Sequence, residues 1–466
     1  MAATAPIRFG TGGWRGLLGS EVTPERLLAV LRGSAAWLAR HARGRPVVLG
    51  YDGRAAGPAM ASIARAVLHE AWLSALESAG PSPTPALSSA VPRRGAAGAL
   101  VITASHNPAE YQGVKVFGPW GGSVCGDAAR RIESAAAAAL GRPAPPEGAP
   151  AETVDLVGEY REVLRGELDL GGSPVPVRVA YDAMHGTGAG VLDRVLLEAG
   201  VEVAVLRGAR AADFHGATPD PRPERIDELR QATRELVSPA LGLANDGDAD
   251  RLAAVDGTGR VLSETEVLAL VLDHGIRSGR VRTGVAISVA TGSLVERLAR
   301  DQGLRVVRRS IGFARLSRAL ADGEADAAGE ESGGFALERV GRDKDGILAG
   351  LLLVERVAAD GVPLEDALAE LQARYGRCAC ARRALPATPE RCQALARIVG
   401  SPPERLGDQA VCEVWSEDGI RLGLADGFLM LRASQTEPVL RLYAEAPEPE
   451  ALSRRLAEGE ALLEDR

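Results

Sequence analysis

The sequence predicts an α/β fold with three similar α/β domains of mixed, mostly parallel sheets that face one shared cleft, followed by a smaller C-terminal α+β domain. The chain has 466 residues, and a single hydrophobic core stops growing at ~250–300 residues, so we expect several domains. A short apolar strand, a turn rich in Gly and Asp, and an amphipathic helix follow one another three times, starting near residues 45, 175 and 283. Such alternation is typical of α/β units with mostly parallel sheets.

Each of the three units contains a second apolar stretch that ends in a dense polar cluster. The clusters run from Ser105 to Pro108, from Asp246 to Arg251 and from Glu330 to Gly334. In parallel sheets, ligands bind beyond the carboxyl ends of the strands, where these clusters would lie. We therefore expect the three domains to face one shared cleft.

The expected domain boundaries follow from breaks in composition. A Pro-rich linker spans residues 143–148, a Gly-rich turn spans residues 256–259, and the character of the chain changes after Tyr375. Residues 382–389 are expected to be irregular, and short antiparallel strands are expected after residue 412. We therefore predict domains at 1–150, 151–257, 258–375 and 376–466, the last of them α+β.

Composition and charge exclude several classes of function. A formal net charge of -8 and a pI near 5.5 argue against a nucleic-acid partner, because phosphate backbones select basic surfaces. The apolar runs are far shorter than the ~20 residues of a membrane span, and no apolar signal core follows the first residues. Five cysteines, an odd number without C-x-x-C spacing, indicate reduced thiols rather than a zinc site, and we expect a cytoplasmic protein.

The basic residues are strongly biased towards arginine. Of 54 basic residues, only Lys115 and Lys344 are lysines. A coding bias towards Arg and Ala explains the excess of arginine. A retained lysine can nevertheless mark a chemical requirement, because lysine can lose its proton and arginine cannot do so near neutral pH.

Three alternating aspartates form the first candidate site. Asp246, Asp248 and Asp250 would project their carboxylates to one side of an extended loop, where they repel one another unless a cation lies among them. All-oxygen ligation suits Mg²⁺, which also binds phosphates. An EF-hand is excluded, because Arg251 replaces its turn glycine and Gly257 replaces its twelfth residue. A solvated acidic turn is the alternative.

Ser105 follows a strand-like apolar stretch and precedes a histidine, His106. This pairing is compatible with a nucleophile, but the G-x-S-x-G elbow of serine hydrolases is absent. A serine that caps a helix or a turn is the alternative. Lys115 lies ten residues further on, near enough to return to the same loop.

The tail contains a segment, residues 432–438, with many hydrogen-bond donors. Its sequence, RASQTEP, combines a guanidinium, hydroxyls, an amide and backbone N–H groups. These are the donors that a phosphate dianion requires, and each charge-assisted hydrogen bond contributes about 1.5–3 kcal/mol. An ordinary turn explains the segment equally well on its own.

Taken together, the clusters resemble the signature motifs of the α-D-phosphohexomutases, in the order in which that family has them. The matching segments are FGTGGWRG at 9–16, TASHNP at 103–108 with Lys115, DAMHG at 182–186, DGDADR at 246–251, GEESGG at 329–334 and RASQTEP at 432–438. The resemblance covers essentially the whole chain. It implies an isomerase of the phosphoglucomutase/phosphomannomutase type with four domains around a central cleft, which agrees with the three similar units and the smaller tail predicted above.

The resemblance also implies a role for each motif. Ser105 would carry the phosphoryl group, and its oxygen would join the three aspartates around Mg²⁺. Arg15, Lys115 and Arg251 would supply positive charge and proton transfer, with His106 as a supporting group. Glu330 and Ser332 would bind the sugar hydroxyls. The substrate's existing phosphate would be held by Arg432, Ser434, Gln435, Thr436 and Arg441.

The implied reaction interconverts hexose 1-phosphate and 6-phosphate through a hexose 1,6-bisphosphate, with glucose as the expected sugar and mannose as a further substrate. A phosphoglucosamine mutase is the alternative within the family, and a non-catalytic sugar-phosphate sensor is the alternative from another class. Three departures bear on specificity. Gly334 stands where several relatives have His, Ala314 with Arg315 stands where some have Lys, and Gln435 replaces Asn or Gly. The sequence gives no oligomeric state.

Overall fold

The computed structural model describes residues 6–10, 12–170, 176–434 and 437–464. These residues form four layered units, each built on its own sheet. None of the described helices has both the length and the apolar character that a membrane span requires.

The first unit is a six-stranded sheet with helices on both faces, in the strand order β1-β5-β4-β2-β3-β6. Its helix α1 begins after Thr23, whose side chain accepts a hydrogen bond from the N–H of Arg26, and Pro24 occupies the first turn, where its missing N–H costs nothing. In chain order the elements are β1 (Trp14–Leu17), α1 (Pro24–Ala42), β2 (Val47–Tyr51), α2 (Gly57–Glu70), β3 (Ala75–Ser78), α3 (Thr84–Arg93), β4 (Gly98–Ile102), β5 (Tyr111–Phe117), α4 (Asp127–Ala139), β6 (Glu152–Val154) and α5 (Leu156–Glu167).

The second unit is a four-stranded sheet in the order β10-β9-β7-β8. Its central strand β9 is buried along its whole length, as expected for a strand covered on both faces. The elements are β7 (Arg178–Asp182), α6 (Leu192–Glu198), β8 (Glu202–Leu206), α7 (Asp227–Glu235), β9 (Ala240–Asn245) and β10 (Leu252–Val255).

The third unit is a four-stranded sheet in the order β12-β11-β13-β14. Ser263 and Glu266 form a capping box at the start of its first helix, and Asp345 caps its long apolar helix α11. The elements are α8 (Glu264–Arg277), β11 (Gly284–Ser288), α9 (Ser293–Asp301), β12 (Arg305–Arg309), α10 (Phe313–Ala321), β13 (Ala327–Gly329), β14 (Phe335–Leu337), α11 (Gly346–Asp360) and α12 (Leu364–Tyr375). One hydrophobic core joins the second and third units, with Val179 and Leu243 in the same cluster as Leu268 and Leu352.

The fourth unit is an antiparallel five-stranded sheet, β15-β21-β20-β19-β18, against which two helices pack. The elements are β15 (Ala379–Pro386), α13 (Pro389–Gly400), β16 (Arg405–Leu406), β17 (Gln409–Ala410), β18 (Glu413–Trp415), β19 (Ile420–Leu424), β20 (Gly427–Ala433), β21 (Val439–Ala446) and α14 (Pro449–Glu464). The expectation of an irregular segment at 382–389 is wrong. The first residues of that segment belong to β15, an edge strand that pairs with β21. This pairing is a tertiary contact, and the mixed, exposed residues of the segment show no strand pattern that would have predicted it.

The predicted fold class is confirmed in detail, because the first three sheets share one arrangement. In each, three parallel strands are followed by one antiparallel strand: β3-β2-β4 then β5, β8-β7-β9 then β10, and β12-β11-β13 then β14. The three polar clusters occupy the equivalent loops before β5, β10 and β14. The domain boundaries given above stay predictions, and strand β6, which follows the Pro-rich linker, joins the first sheet.

Candidate active site

The loop between β4 and β5 presents Ser105 in a strained backbone conformation. Ser105 has φ of 52°, in the left-handed region that residues other than glycine rarely adopt, and it is fully buried. Its N–H donates to Thr103 Oγ1 at 2.8 Å. Such a conformation costs about 1–3 kcal/mol and is typical of functional sites.

Arg54 holds this loop in place. Its guanidinium donates to the backbone carbonyl oxygens of Ser105 at 2.8 Å, Asn107 at 2.6 Å, Pro108 at 2.5 Å and Tyr111 at 3.1 Å. Asp52, two residues earlier, accepts from Arg54 Nε at 3.0 Å. The buried ion pair of Asp52 and Arg54 therefore fixes the conformation of the loop that carries Ser105.

The loop between β9 and β10 brings the three aspartates to the serine. Ser105 Oγ donates to Asp246 Oδ2 at 2.8 Å, and ligand atoms of Asp246, Asp248 and Asp250 all lie within 4.8 Å of one another. All three side chains are buried. Thr84 Oγ1 donates to Asp248 Oδ2 at 2.6 Å and fixes that carboxylate from the first domain.

Lys115 on β5 neutralises part of this charge. Its Nζ donates to Asp248 Oδ2 and to Asp250 Oδ2, each at 2.6 Å. Although burial acts in the opposite direction, the two carboxylates hold the pKa of Lys115 above its usual value. Lys115 likewise holds the pKa of Asp248 and of Asp250 below the usual range, against the effect of burial.

The three carboxylates fit a hard divalent cation. Asp248 Oδ1 and Asp250 Oδ1 are buried without a hydrogen-bond partner among the described residues. Burial, followed by the charges of Asp250 and Asp248, raises the pKa of Asp246 to about 8. Unpartnered carboxylate oxygens and like charges at this distance are what an oxygen-ligated ion such as Mg²⁺ would satisfy.

Three further predicted residues lie around this cluster. Arg15 Nη1 donates to Asn107 Oδ1 at 3.3 Å. Arg251 donates its backbone N–H to Asp246 Oδ1 at 3.1 Å. Burial, with Arg251 and Arg15 nearby, lowers the pKa of His106 far below its usual value, so the ring is neutral. Its Nδ1 is buried without a described partner.

Lys344 also reaches the aspartates, which the sequence did not establish. Its Nζ lies 3.4 Å from Asp250 Oδ2, so both lysines of the chain face the same carboxylate. The space for this side chain exists because residue 334 is glycine: a Cβ there would lie 2.5 Å from Lys344 Cδ. The retention of lysine in an arginine-rich chain was the signal that singled it out.

The loop between β13 and β14 carries the residues expected to bind the sugar. Glu330 is buried, and its Oε1 accepts a hydrogen bond from Ser332 Oγ at 2.6 Å. The neighbouring Glu331 accepts from Ser288 Oγ. Burial and the charge of Glu330 raise the pKa of Glu331 to about 7. The loop therefore presents two adjacent carboxyl groups, of which the sequence predicted only the first.

The fourth domain presents its two predicted arginines side by side. Arg432 on β20 and Arg441 on β21 are cross-strand partners. Arg432 lies 3.5 Å from Asp418, and Arg441 pairs with Glu437. Ser434 Oγ accepts from the N–H of Glu437 at 3.3 Å. The other two predicted residues of this loop, Gln435 and Thr436, lie outside the described residues.

A cavity of about 640 Å³ opens between the second, third and fourth domains. Its wall combines arginines, among them Arg251 and Arg382, with acidic residues such as Asp220 and Glu266, and it includes Ser332. This volume is that of a typical small-molecule pocket.

The structure thus brings Ser105, the three aspartates and Lys115 into direct contact, and places Arg15, His106 and Arg251 beside them. Sequence reasoning missed the supporting residues Asp52, Arg54, Thr84 and Glu331, and it singled out Lys344 without assigning it a role. Asp52 and Arg54 directly follow β2 at the carboxyl end of a parallel strand, a position that could have identified them. No comparable signal marks Thr84.

Phosphoryl transfer needs a group that carries the phosphoryl, a metal site and positive charge that stabilises the transferring oxygens. The serine hydroxyl, the buried carboxylates and the neighbouring lysine and arginine side chains provide these three features. The comparisons with known proteins bear directly on this class of chemistry. Family models of phosphoglucomutase/phosphomannomutase match the chain as α/β/α domain I at residues 6–140, domain II at 167–259, domain III at 264–375 and the C-terminal domain at 362–463.

Individual relatives agree over almost the full length. The chain is 28% identical over 470 residues to a phosphoglucomutase/phosphomannomutase of Thermococcus kodakarensis, covering 98% of each. It is 32% identical over 450 residues to a probable phosphoglucosamine mutase of Methanothermobacter thermautotrophicus, covering 96% of this chain and 95% of the relative. A putative phosphomannomutase of Thermus thermophilus has a similar structure, with a TM-score of 0.83, 32% identity, and coverage of 99% of this chain and 100% of the other.

The chain therefore belongs to the phosphoglucomutase/phosphomannomutase family, the α-D-phosphohexomutases. As a phosphohexomutase it is an isomerase of carbohydrate metabolism.

Proposed function

We propose that this phosphohexomutase interconverts glucose 1-phosphate and glucose 6-phosphate, with mannose phosphates as further substrates, and that Ser105 carries the phosphoryl group. The P–O bond to Ser105 breaks as a new P–O bond forms to the free sugar hydroxyl, which gives hexose 1,6-bisphosphate. The bisphosphate then reorients, and its other phosphoryl group returns to Ser105. The observation that carries the proposal is the contact between Ser105 Oγ and Asp246 at 2.8 Å inside the buried carboxylate cluster.

Asp246, Asp248 and Asp250 would hold Mg²⁺, together with an oxygen of phosphorylated Ser105. Unpartnered oxygens on Asp248 and Asp250 support this assignment. When bound, the ion would neutralise charge on the transferring phosphoryl group. The hydrogen bond from Thr84 orients Asp248 from outside the cluster, as a supporting residue does in a metal site.

We assign proton transfer to Lys115 and fixed positive charge to Arg15, Arg251 and Lys344. Lys115 is protonated, since its pKa is raised by Asp248 and Asp250. In the first transfer it would give its proton to the departing Ser105 oxygen and take up the proton of the attacking sugar hydroxyl. When the phosphoryl group returns to Ser105, it would give its proton to the departing sugar oxygen and take up that of the Ser105 hydroxyl. His106 is neutral in this setting, and we assign it a supporting position beside the serine.

Substrate recognition is assigned to the third and fourth domains. Glu330 and Ser332 would bind ring hydroxyls, since a carboxylate accepts hydrogen bonds and a serine hydroxyl can both donate and accept them. Arg432 and Arg441, adjacent on two paired strands, would hold the phosphate that is not being transferred, with Ser434, Gln435 and Thr436. Tyr443 on β21 packs with Val289 and Ala290 of the third domain, which supports a cleft shared by the sugar loop and the phosphate loop.

Glucosamine phosphate is the second candidate substrate. Two adjacent carboxyl groups, Glu330 and Glu331, border the site, and carboxylates would favour the ammonium group at C2 of that sugar. The relatives named phosphoglucosamine mutase, at 30–32% identity, point in the same direction. Side-by-side kcat/KM values for the 1-phosphates of glucose, mannose and glucosamine separate the candidates, and a preference for glucosamine above ten-fold would overturn our choice of glucose.

The carrier role of Ser105 is tested by mass and by activity. The purified enzyme should contain a species heavier by one phosphoryl group, and Ser105→Ala should lack both this species and mutase turnover. Ser134→Ala, which changes a serine on α4 outside the site, is the control and should keep both. Full turnover in Ser105→Ala would refute the mechanism. A chain that binds the sugar phosphates but never turns them over, even with bisphosphate added, would be a sensor and not a mutase.

A further inference from the structure

A second group of potential metal ligands lies at the start of the fourth domain, away from the aspartates. Cys378 and Cys380 are separated by one residue where β15 begins, and alternate residues of an extended chain point to the same face. Glu445 on β21 is the direct cross-strand partner of Cys380. Two nearby cysteines and a glutamate that is distant in sequence therefore meet on one face of an antiparallel pair.

The geometry of this group is close to that of a metal site. The two Sγ atoms are 3.4 Å apart, and a carboxylate oxygen of Glu445 and both sulfurs lie within 4.8 Å of one another. Cys378 is 7% exposed and Glu445 is 1% exposed. Tetrahedral ligands at about 2.0–2.3 Å from a zinc ion are separated by distances of this order.

Hydrogen bonds from the surroundings hold two of the three ligands in place. The N–H and hydroxyl of Ser293, at the start of α9, both donate to the Glu445 carboxylate, and a carboxylate retains free lone pairs after two such bonds. The hydroxyl of Thr265, on α8, donates to Cys380 Sγ at 3.7 Å. These bonds come from the third domain, so the group lies where the third and fourth domains meet.

We propose that Cys378, Cys380 and Glu445 form a binding site for a thiophilic divalent cation of the Zn²⁺ type. Two thiolates and a carboxylate supply three ligands, and both cysteines also border the 640 Å³ cavity, from which water can supply the fourth. The two thiols release their protons to solvent on binding. Bound there, the cation would fasten β15 and β21 to the start of α9.

This site and the aspartate cluster select different ions. Thiolates prefer soft or borderline ions, whereas three carboxylates prefer hard ions such as Mg²⁺. Co²⁺ is a suitable probe, because thiolate ligation gives it a charge-transfer absorption that carboxylate ligation does not. Saturating Mg²⁺ during the titration keeps the aspartates occupied.

The experiment titrates the reduced, full-length enzyme with Co²⁺ in the presence of Mg²⁺. We expect a thiolate-to-cobalt band that saturates at one ion per chain and is displaced by Zn²⁺. Cys378→Ser and Cys380→Ser should each abolish the band. Cys392→Ser, which changes an exposed thiol on α13, should leave it unchanged. Glu445→Gln, which keeps an acceptor for Ser293, should weaken binding by at least about ten-fold.

A second measurement uses stability. An ion that binds only the folded state raises the unfolding temperature in a concentration-dependent way. Zn²⁺ with Mg²⁺ present should therefore raise the unfolding temperature of the wild type and of Cys392→Ser, but not that of Cys378→Ser. Absence of the cobalt band in the reduced wild type, or its persistence in either Cys378→Ser or Cys380→Ser, overturns the proposal.

Discussion

Lys115→Arg tests whether Lys115 moves a proton or only supplies charge. The change keeps the positive charge opposite Asp248 and Asp250 but replaces a group that can release its proton by one that cannot near neutral pH. If Lys115 transfers the proton, turnover should fall by about 10²–10⁴, the usual contribution of general acid–base catalysis. If Lys115 supplies only charge, the loss should stay within about ten-fold, or ~1.4 kcal/mol of the activation barrier.

Packing limits how the larger side chain can be accommodated. Lys115 is 3% exposed, and a Cβ added at Gly13 would lie 3.1 Å from Lys115 Cα, so the backbone of residue 13 lies directly against it. Overpacking of this kind typically costs about 1–3 kcal/mol. Domains are usually stable by about 5–15 kcal/mol, so the variant should remain folded and the effect on rate can be measured.

The assay follows glucose 6-phosphate formation from glucose 1-phosphate with hexose 1,6-bisphosphate present, and reports kcat and KM separately. Thermal unfolding and the mass of phosphorylated Ser105 check that the fold and the carrier are intact. Lys344→Arg is the matched control, since it makes the same chemical change on a lysine that also faces Asp250. A smaller loss in Lys115→Arg than in Lys344→Arg would refute the assignment of proton transfer to Lys115.

Three further predictions concern the metal site, the sugar loop and stability. Asp248→Asn should raise the Mg²⁺ concentration needed for half-maximal activity by at least about ten-fold, and an unchanged requirement would exclude Asp248 as a ligand. Glu331 has a pKa raised to about 7, so it ionises as the pH rises through neutrality. The kcat/KM for glucosamine 1-phosphate should therefore rise over that range relative to the kcat/KM for glucose 1-phosphate. Glu331→Gln should remove this pH-dependent change in the ratio. Burial raises the pKa of Asp345 to about 6, so the folded state binds its proton more tightly than the unfolded state and stability is lost as the pH rises from about 4 to 6. Asp345→Asn, which keeps an acceptor for Tyr160 and for the start of α11, should therefore unfold at pH 7 no more easily than the wild type, and a lower denaturant midpoint would contradict this.

The sequence alone determined the fold class and most of the candidate site. Alternating strand and helix signals predicted three α/β units, because short segments of sequence contain both the periodicity of apolar residues and the residues that form turns. The polar clusters at Ser105, Asp246 and Glu330 were visible for the same reason: each is a contiguous loop at the end of a strand. Their spacing also supported the family resemblance that the comparisons confirm.

Only the tertiary structure decided which side chains from different domains meet. Thr84 contacts Asp248, which is 164 residues away, and Lys344 enters the site only because Gly334 leaves space for it. The same is true of Cys380 and Glu445, which become neighbours through the register of β15 and β21. Such contacts depend on how whole sheets pack and pair, and no local pattern of residue types encodes that packing.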